Sequence, residues 1–183
     1  MFLSHPISAA LPRLLSACLL ALLMSAQTGY AQTAAQAPDG SNSDAARAYF
    51  AQSEQSKQIG EAYFNAYMKM DWDKLGTLLG ETANFSDPTA RLVFGRVDVT
   101  GKEAILRYFR TSYAGLTLKF LPTRKLYSGH FAIFEGMLDW TYPTPQGVQR
   151  VIMPFVNVLQ IENGLVVKHL DLADYHPYYG VDG

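Results

Sequence analysis

The stretch "ANFSDPTA", residues 83–90, holds the first side chain with the means to do chemistry. Phe85 and Asp87 lie two apart in a short strand-like run, so both point to one side, and Phe85 marks that side as apolar. Against an apolar wall the carboxylate is disfavoured as an anion, and its pKa rises toward neutrality, as a general base requires. The structural alternative is that Asp before Pro opens a turn by accepting hydrogen bonds from nearby backbone amides. In "HLDLADYH", period-two alternation places His169 and Asp171 on one side of a strand. A histidine beside a carboxylate is a donor that switches near pH 7, and the same spacing also suits a satisfied ion pair or a strand edge. Tyr63 and Tyr67, one turn apart in "SKQIGEAYFNAYMKM", bring hydroxyls either to a ligand or to carbonyls of the core.

Other chemistries find little support. His169, Asp171, Asp174 and His176 are of metal-ligating types, but Asp174 falls on the opposite strand face from the first two, so no metal is expected. There is no nucleophile elbow, phosphate loop or dinucleotide fingerprint, and no cofactor is expected. The 183 residues carry 15 Lys and Arg against 16 Asp and Glu, without basic clustering. That balance argues against nucleic acid or anionic membranes as partners. Glu135, Asp139 and Arg150, all on predicted strands, read as solvated or interface charges.

The chain opens with one positive charge, Arg13, and the apolar run "LLSACLLALLMSA", ending in a small-residue site at "GYA". Residues 1–31 therefore read as a secretory signal peptide cleaved after Ala31, too short in its apolar part to span a bilayer. "LSAC" at Leu15 to Cys18 resembles a lipoprotein box, but the apolar run continues past Cys18, where a lipobox should end it. Cys18 is the only cysteine, so the mature chain is expected to have no disulfide and no thiolate. Residues 32–45, small and polar with Pro and Gly, read as a flexible linker, which leaves 46–183 as one domain.

The spacing of Ile59, Tyr63, Ala66, Tyr67 and Met70 predicts a long helix, and "DWDKLGTLLG" a short second one stopped by Gly80. Thr100 and Glu103 form a capping box ahead of a third helix carrying Ile105, Leu106 and Phe109. Four runs from Leu116 to Tyr175, rich in β-branched and aromatic residues and parted by "PTPQG" and "ENG", predict strands in an antiparallel meander. Within "VQRVIMPFVNVLQI" both sides are apolar, Ile152, Pro154, Val156 and Val158 on one, Val151, Met153, Phe155 and Leu159 on the other. A sheet buried on both faces needs helices on one side and a second subunit on the other.

This order of elements resembles the NTF2-like cone. The likeness is carried by "AYFNAYMKMDWDKL", "ANFSDP", "TGKEAILRYF" and "IENGLVVKHLDLADY", and covers residues 55–175. It implies an α+β fold, three N-terminal helices on a strongly curved, mainly antiparallel sheet enclosing a pocket. The nearest local likeness is to ketosteroid isomerases and SnoaL-like polyketide cyclases. By that resemblance Asp87 is the general base and Tyr63, eight residues ahead of Asp71, the oxyanion donor. The second oxyanion position, two residues after Pro154, holds Val156 where the isomerases hold Asp. His169 and Asp171 would supply a second acid/base on the closing strand, where SnoaL-like cyclases keep theirs. Tyr67, Phe85, Trp140 and Val156 would line the substrate pocket, which leaves Met153 and Phe155 for the dimer face. The function so implied is proton-transfer chemistry of isomerase, cyclase or dehydratase type on a small, mostly apolar, carbonyl-bearing molecule, in a secreted and periplasmic homodimer. The competing reading is a non-catalytic binding or protein-interaction module of the same fold.

Overall fold

The computed structural model describes residues 40–179. Helix α1 (Gly40–Met68) begins inside the segment read as a linker, of which residues 32–39 lie, with the leader, outside the described residues. After an opening turn of "GSNS" its early turns come from "DAARAYFAQ", rich in good helix formers. The Tyr49 hydroxyl pins them to Ser128 Oγ at 2.6 Å. Tyr63, Phe64, Ala66 and Tyr67 form the buried stripe. The helix stops before Met70, whose φ of 54° is left-handed, so Met70 closes α1 rather than extending its apolar face. No helix among the described residues is long and apolar enough to cross a membrane.

Asp71 caps α2 (Trp72–Leu78) by accepting from the Lys74 amide at 3.0 Å. Gly80 is not its stop: the chain is extended from Leu79 and Gly80 belongs to β1 (Leu79–Asp87). After a single-turn helix, α3 (Arg91–Phe94), and the short β2 (Val97–Thr100) comes α4 (Lys102–Ser112). Its N-cap is Gly101 with φ of 95°, and no side chain caps it. Thr100 is held in β2 instead, its hydroxyl accepting from Asn84 Nδ2 at 3.1 Å, so strand pairing overrides the expected capping box.

The four long strands are β3 (Thr117–Ser128), β4 (Phe131–Thr144), β5 (Gly147–Glu162) and β6 (Leu165–Ala173). They pair in sequence as an antiparallel meander. β1 joins β6 in parallel, giving the order β2-β1-β6-β5-β4-β3, a mixed sheet with β2 and β3 at its open edges. Bulges at Pro122/Arg124 and Gln160/Ile161 break the ladders and bend the sheet. The second of them turns Val166 rather than Val167 inward beside His169. α1 packs across the concave face, closing a core of Tyr63, Phe64, Leu75, Phe85, Phe109 and Phe134.

Along β5 the parity is the reverse of that implied by the isomerase likeness. Val151, Met153, Phe155, Asn157 and Leu159 are buried, while Ile152 and Pro154 are exposed and Val156 is partly so on the outer face. Val156 is therefore not a pocket residue, and Met153 and Phe155 are not available to a partner.

Candidate active site

The register of β1 against β6 sets Phe85 beside His169 and Ser86 beside Leu170, and one residue on it brings Asp87 level with Asp171. Both carboxylates point to the concave side with Phe85, and both are almost fully buried. They line one cavity of about 230 Å³ between α4, the β1 end, β4, β5 and the segment after β6. Its remaining wall is mostly aromatic and aliphatic, and includes Tyr67, Phe85, Tyr113, Trp140, Phe155 and Tyr175.

Asp87 combines the two roles open in its sequence. Its Oδ1 accepts from the Thr89 hydroxyl at 2.6 Å and from the Ala90 amide at 2.9 Å, a turn of the Asp-Pro type. Oδ2 accepts from the Tyr175 hydroxyl at 2.6 Å and keeps a lone pair beside the cavity. Burial, assisted by the charge of Asp171, pushes its pKa up against the opposing pull of these donors. Thr89 Oγ1 also accepts from the Ala173 amide at 2.9 Å, which ties the Asp87 turn to the end of β6.

Asp171 stands at the centre of a buried network. Its Oδ1 accepts from Asn157 Nδ2 at 2.8 Å and from His169 Nε2 at 2.9 Å, and Oδ2 accepts from the Tyr67 hydroxyl at 2.7 Å. With the Nε2 proton directed at a carboxylate, Nδ1 is left to accept the Tyr63 hydroxyl at 3.0 Å. Tyr67 gives its one proton to Asp171, so the Tyr113 hydroxyl, 2.6 Å away, donates to Tyr67. Burial first, and Asp171 second, raise the pKa of Tyr63, Tyr67 and Tyr113, keeping all three as O–H donors.

The sequence-derived residues thus divide. Asp87, Asp171, Tyr67, Phe85 and Trp140 meet at the cavity. Tyr63 and His169 lie behind its wall, the imidazole enclosed by the rings of Tyr63, Tyr67, Phe85 and Phe109 at 4.7–5.8 Å between centroids. Tyr63 therefore has no direct reach to a ligand as an oxyanion donor. Asn157, which the sequence reading missed, is fully buried one residue beyond Val156, its own Oδ1 without a partner. Tyr113 was also missed, whereas Tyr175 belongs to the aromatic tail "DYHPYYG", whose composition suits a pocket rim or a dimer contact, and it lines the cavity. Asp174 pairs with exposed His176 at 2.5 Å, and among the described residues no His, Cys, Asp or Glu cluster is placed to hold a metal.

The sequence model of the SnoaL-like domain family matches residues 61–169, well over half of the chain. The chain belongs to that family. The match begins at the start of the Tyr63–Tyr67 turn and ends at His169, two residues short of Asp171. No curated protein matches the chain. Among solved structures this SnoaL-like domain is similar to a candidate polyketide cyclase of Shewanella denitrificans OS-217, at 19% identity and a TM-score of 0.62, over 68% of this chain and 94% of that one. It is similar to a candidate ketosteroid isomerase of Kribbella flavida DSM 17836, at 23% identity and TM-score 0.52, over 66% and 78% of the two chains. An LEH-like epoxide hydrolase of M. tuberculosis matches at 16% identity and TM-score 0.57, over 69% and 88%. At these identities the likeness is one of fold, the NTF2-like α+β cone.

Proposed function

We propose that this SnoaL-like domain catalyses cofactor-free proton transfer on a small, mostly apolar, carbonyl-bearing molecule, with Asp171 and Asp87 as the two acid/base groups. The observation that carries the reading is the meeting of two tyrosine-linked carboxylates, Tyr67 with Asp171 and Tyr175 with Asp87, in one aromatic cavity. One carboxylate removes a proton and the other returns it elsewhere, the sequence that an isomerisation or ring closure needs. Asp87, its pKa pushed up by burial, holds a proton to higher pH than an exposed carboxylate does. Asp171 is oriented by Asn157, His169 and Tyr67, and Tyr63 is a positioning residue that acts through His169. A cyclase, an isomerase and a hydrolase among the similar structures are in keeping with such chemistry.

The test is hydrogen exchange at carbon α to a carbonyl. Cyclic ketones and 1,3-diketones incubated with the protein in D2O are followed by proton NMR. Wild type should accelerate exchange, and Asp171→Asn should lose about 10²-fold or more of that rate. A ketone that binds in the cavity yet exchanges no faster than in buffer would favour the non-catalytic binding reading.

Two further features belong to the same proposal. The chain is exported, periplasmic and processed after Ala31, supported by the Arg13 and apolar-run pattern of its first residues. It works as a homodimer through the outer face of the sheet, supported by Leu121, Ile133, Met137, Ile152, Val156 and Val158 on that face, where Glu135 and the Asp139–Arg150 ion pair also stand.

A further inference from the structure

We infer that the polar end of the ligand is a cation, a protonated or quaternary amine held between the Asp87 and Asp171 carboxylates and the rings of Phe94, Trp140 and Tyr175. This rests on the cavity being the ligand site and names the class of molecule it takes. The first argument is an account of donors. Tyr67 and Tyr175 spend their protons on the two carboxylates, and Tyr113 spends its own on Tyr67. Around the acids the wall therefore offers lone pairs, on Oδ2 of Asp87 and of Asp171, and no spare proton from these tyrosines; the one unpartnered buried donor among the lining residues described is Trp140 Nε1, left for an acceptor elsewhere on the ligand, such as the hydroxyl of an amino alcohol. A ligand group meeting them has to donate.

The second argument is charge. Among the described residues that line the cavity there is no Lys, Arg or His, so nothing in its wall neutralises the carboxylates. A neutral apolar ligand would bury both acids further from water and add nothing to the hydrogen bonds they already accept, whereas a cation meets an opposite charge on two sides.

The third argument is the aromatic corner next to Asp87. Phe94 lies 5.7 Å from Trp140 and 5.7 Å from Tyr175, and Trp140 lies 6.5 Å from Tyr175. All three rings line the cavity, and Tyr175 is bonded directly to the Asp87 carboxylate. Ring walls joined to a carboxylate are the chemistry that favours alkylammonium over ammonium-free isosteres, since the ring faces attract a diffuse cation that water solvates weakly.

The test titrates the protein with choline and with its neutral isostere 3,3-dimethylbutan-1-ol, by calorimetry and by tryptophan emission. Choline should bind about tenfold more tightly or better. Asp171→Asn and Asp87→Asn should each remove most of that preference, read as the ratio of the two affinities. Trp140→Phe should lower choline affinity by a route independent of the carboxylates, and Glu103→Gln, an exposed acid on α4 away from the cavity, should change nothing. Equal affinity for the two probes, or binding of the alcohol alone, would overturn the cation while leaving an apolar ligand cavity in place. Binding of neither also overturns it, and the proton-exchange experiment then judges the catalytic reading separately.

Discussion

Asp87 gives Oδ1 to a turn and Oδ2 to a cavity, and the two halves respond differently to substitution. Asp87→Asn keeps an acceptor at Oδ1 and puts an amide against the Tyr175 oxygen, so the turn survives while the buried charge goes. The folded-state pKa of Asp87 is raised, so the folded protein holds this proton more tightly than the unfolded chain does. The resulting stability is present in acid and is lost as pH rises through the raised value. Asp87→Asn should therefore melt at or above wild type at pH 7, with the gap closing as pH falls below the ordinary carboxylate range. Paired melts at pH 7 and pH 3 check this, and a deficit that is larger at pH 7 would show that the donors more than offset burial. Asp87→Ala, which loses the turn, should cost about 1–3 kcal/mol at either pH. Tyr63→Phe strips the only donor from His169 Nδ1 and should cost a similar amount, about 1–3 kcal/mol by denaturant titration. It should slow proton exchange less than Asp171→Asn does, because its effect passes through the imidazole.

The elements hold these groups by close approach of backbones. Gly60 on α1 lies close against the sheet: a Cβ there would collide with the Ala132 Cβ on β4. In an isolated helix Gly→Ala stabilises by about 1 kcal/mol, so propensity and packing have opposite signs at this position. Packing should win, because α1 cannot lift from the sheet without moving Tyr63 and Tyr67, and Gly60→Ala should lose about 1–3 kcal/mol net. A thermal melt decides the sign, and a raised midpoint would mean that α1 is free to shift. Thr100 gives the same lesson in reverse. A local capping signal ahead of α4 was legible, but pairing of β2 with β1 engaged the hydroxyl first, and a glycine in left-handed geometry starts the helix instead.

For the whole molecule, the outer face of the sheet sets the expectation. Ile152, 40% exposed on that face and paired across from Asp139 on β4, is the place to introduce charge. Ile152→Lys should convert a dimer to a folded monomer in light scattering, whereas a charge at the fully buried Met153 should unfold the domain. A wild-type monomer would remove the dimer proposal. Export predicts an intact mass beginning at Gln32 for protein recovered from its native compartment, with Arg13 and Cys18 gone. A lipid adduct on Cys18 would mean an anchored protein instead.

Much of this architecture follows from short-range patterns. Alternation placed the four long strands within a residue or two of their observed ends, and the three-four spacing placed Tyr63 and Tyr67 on the buried stripe of α1. The pairing of Phe85 with Asp87 on one inward face was also legible, because in β1 only one side is apolar. In β5 both sides are apolar, so alternation fixes two faces without saying which is inside, and a shift of one residue exchanges them. Packing of α1 and of Leu138 and Phe134 on β4 made that choice, turning Asn157 inward to Asp171 and Val156 outward. Depth behaved likewise. The types of Tyr63, His169, Tyr113 and Tyr175 say that each wants a polar partner, but a sequence holds no distance from a residue to a void. The cavity exists where α4, β4, β5 and the chain after β6 fail to touch, and that gap put Tyr113 and Tyr175 in the wall and left Tyr63 and His169 behind it.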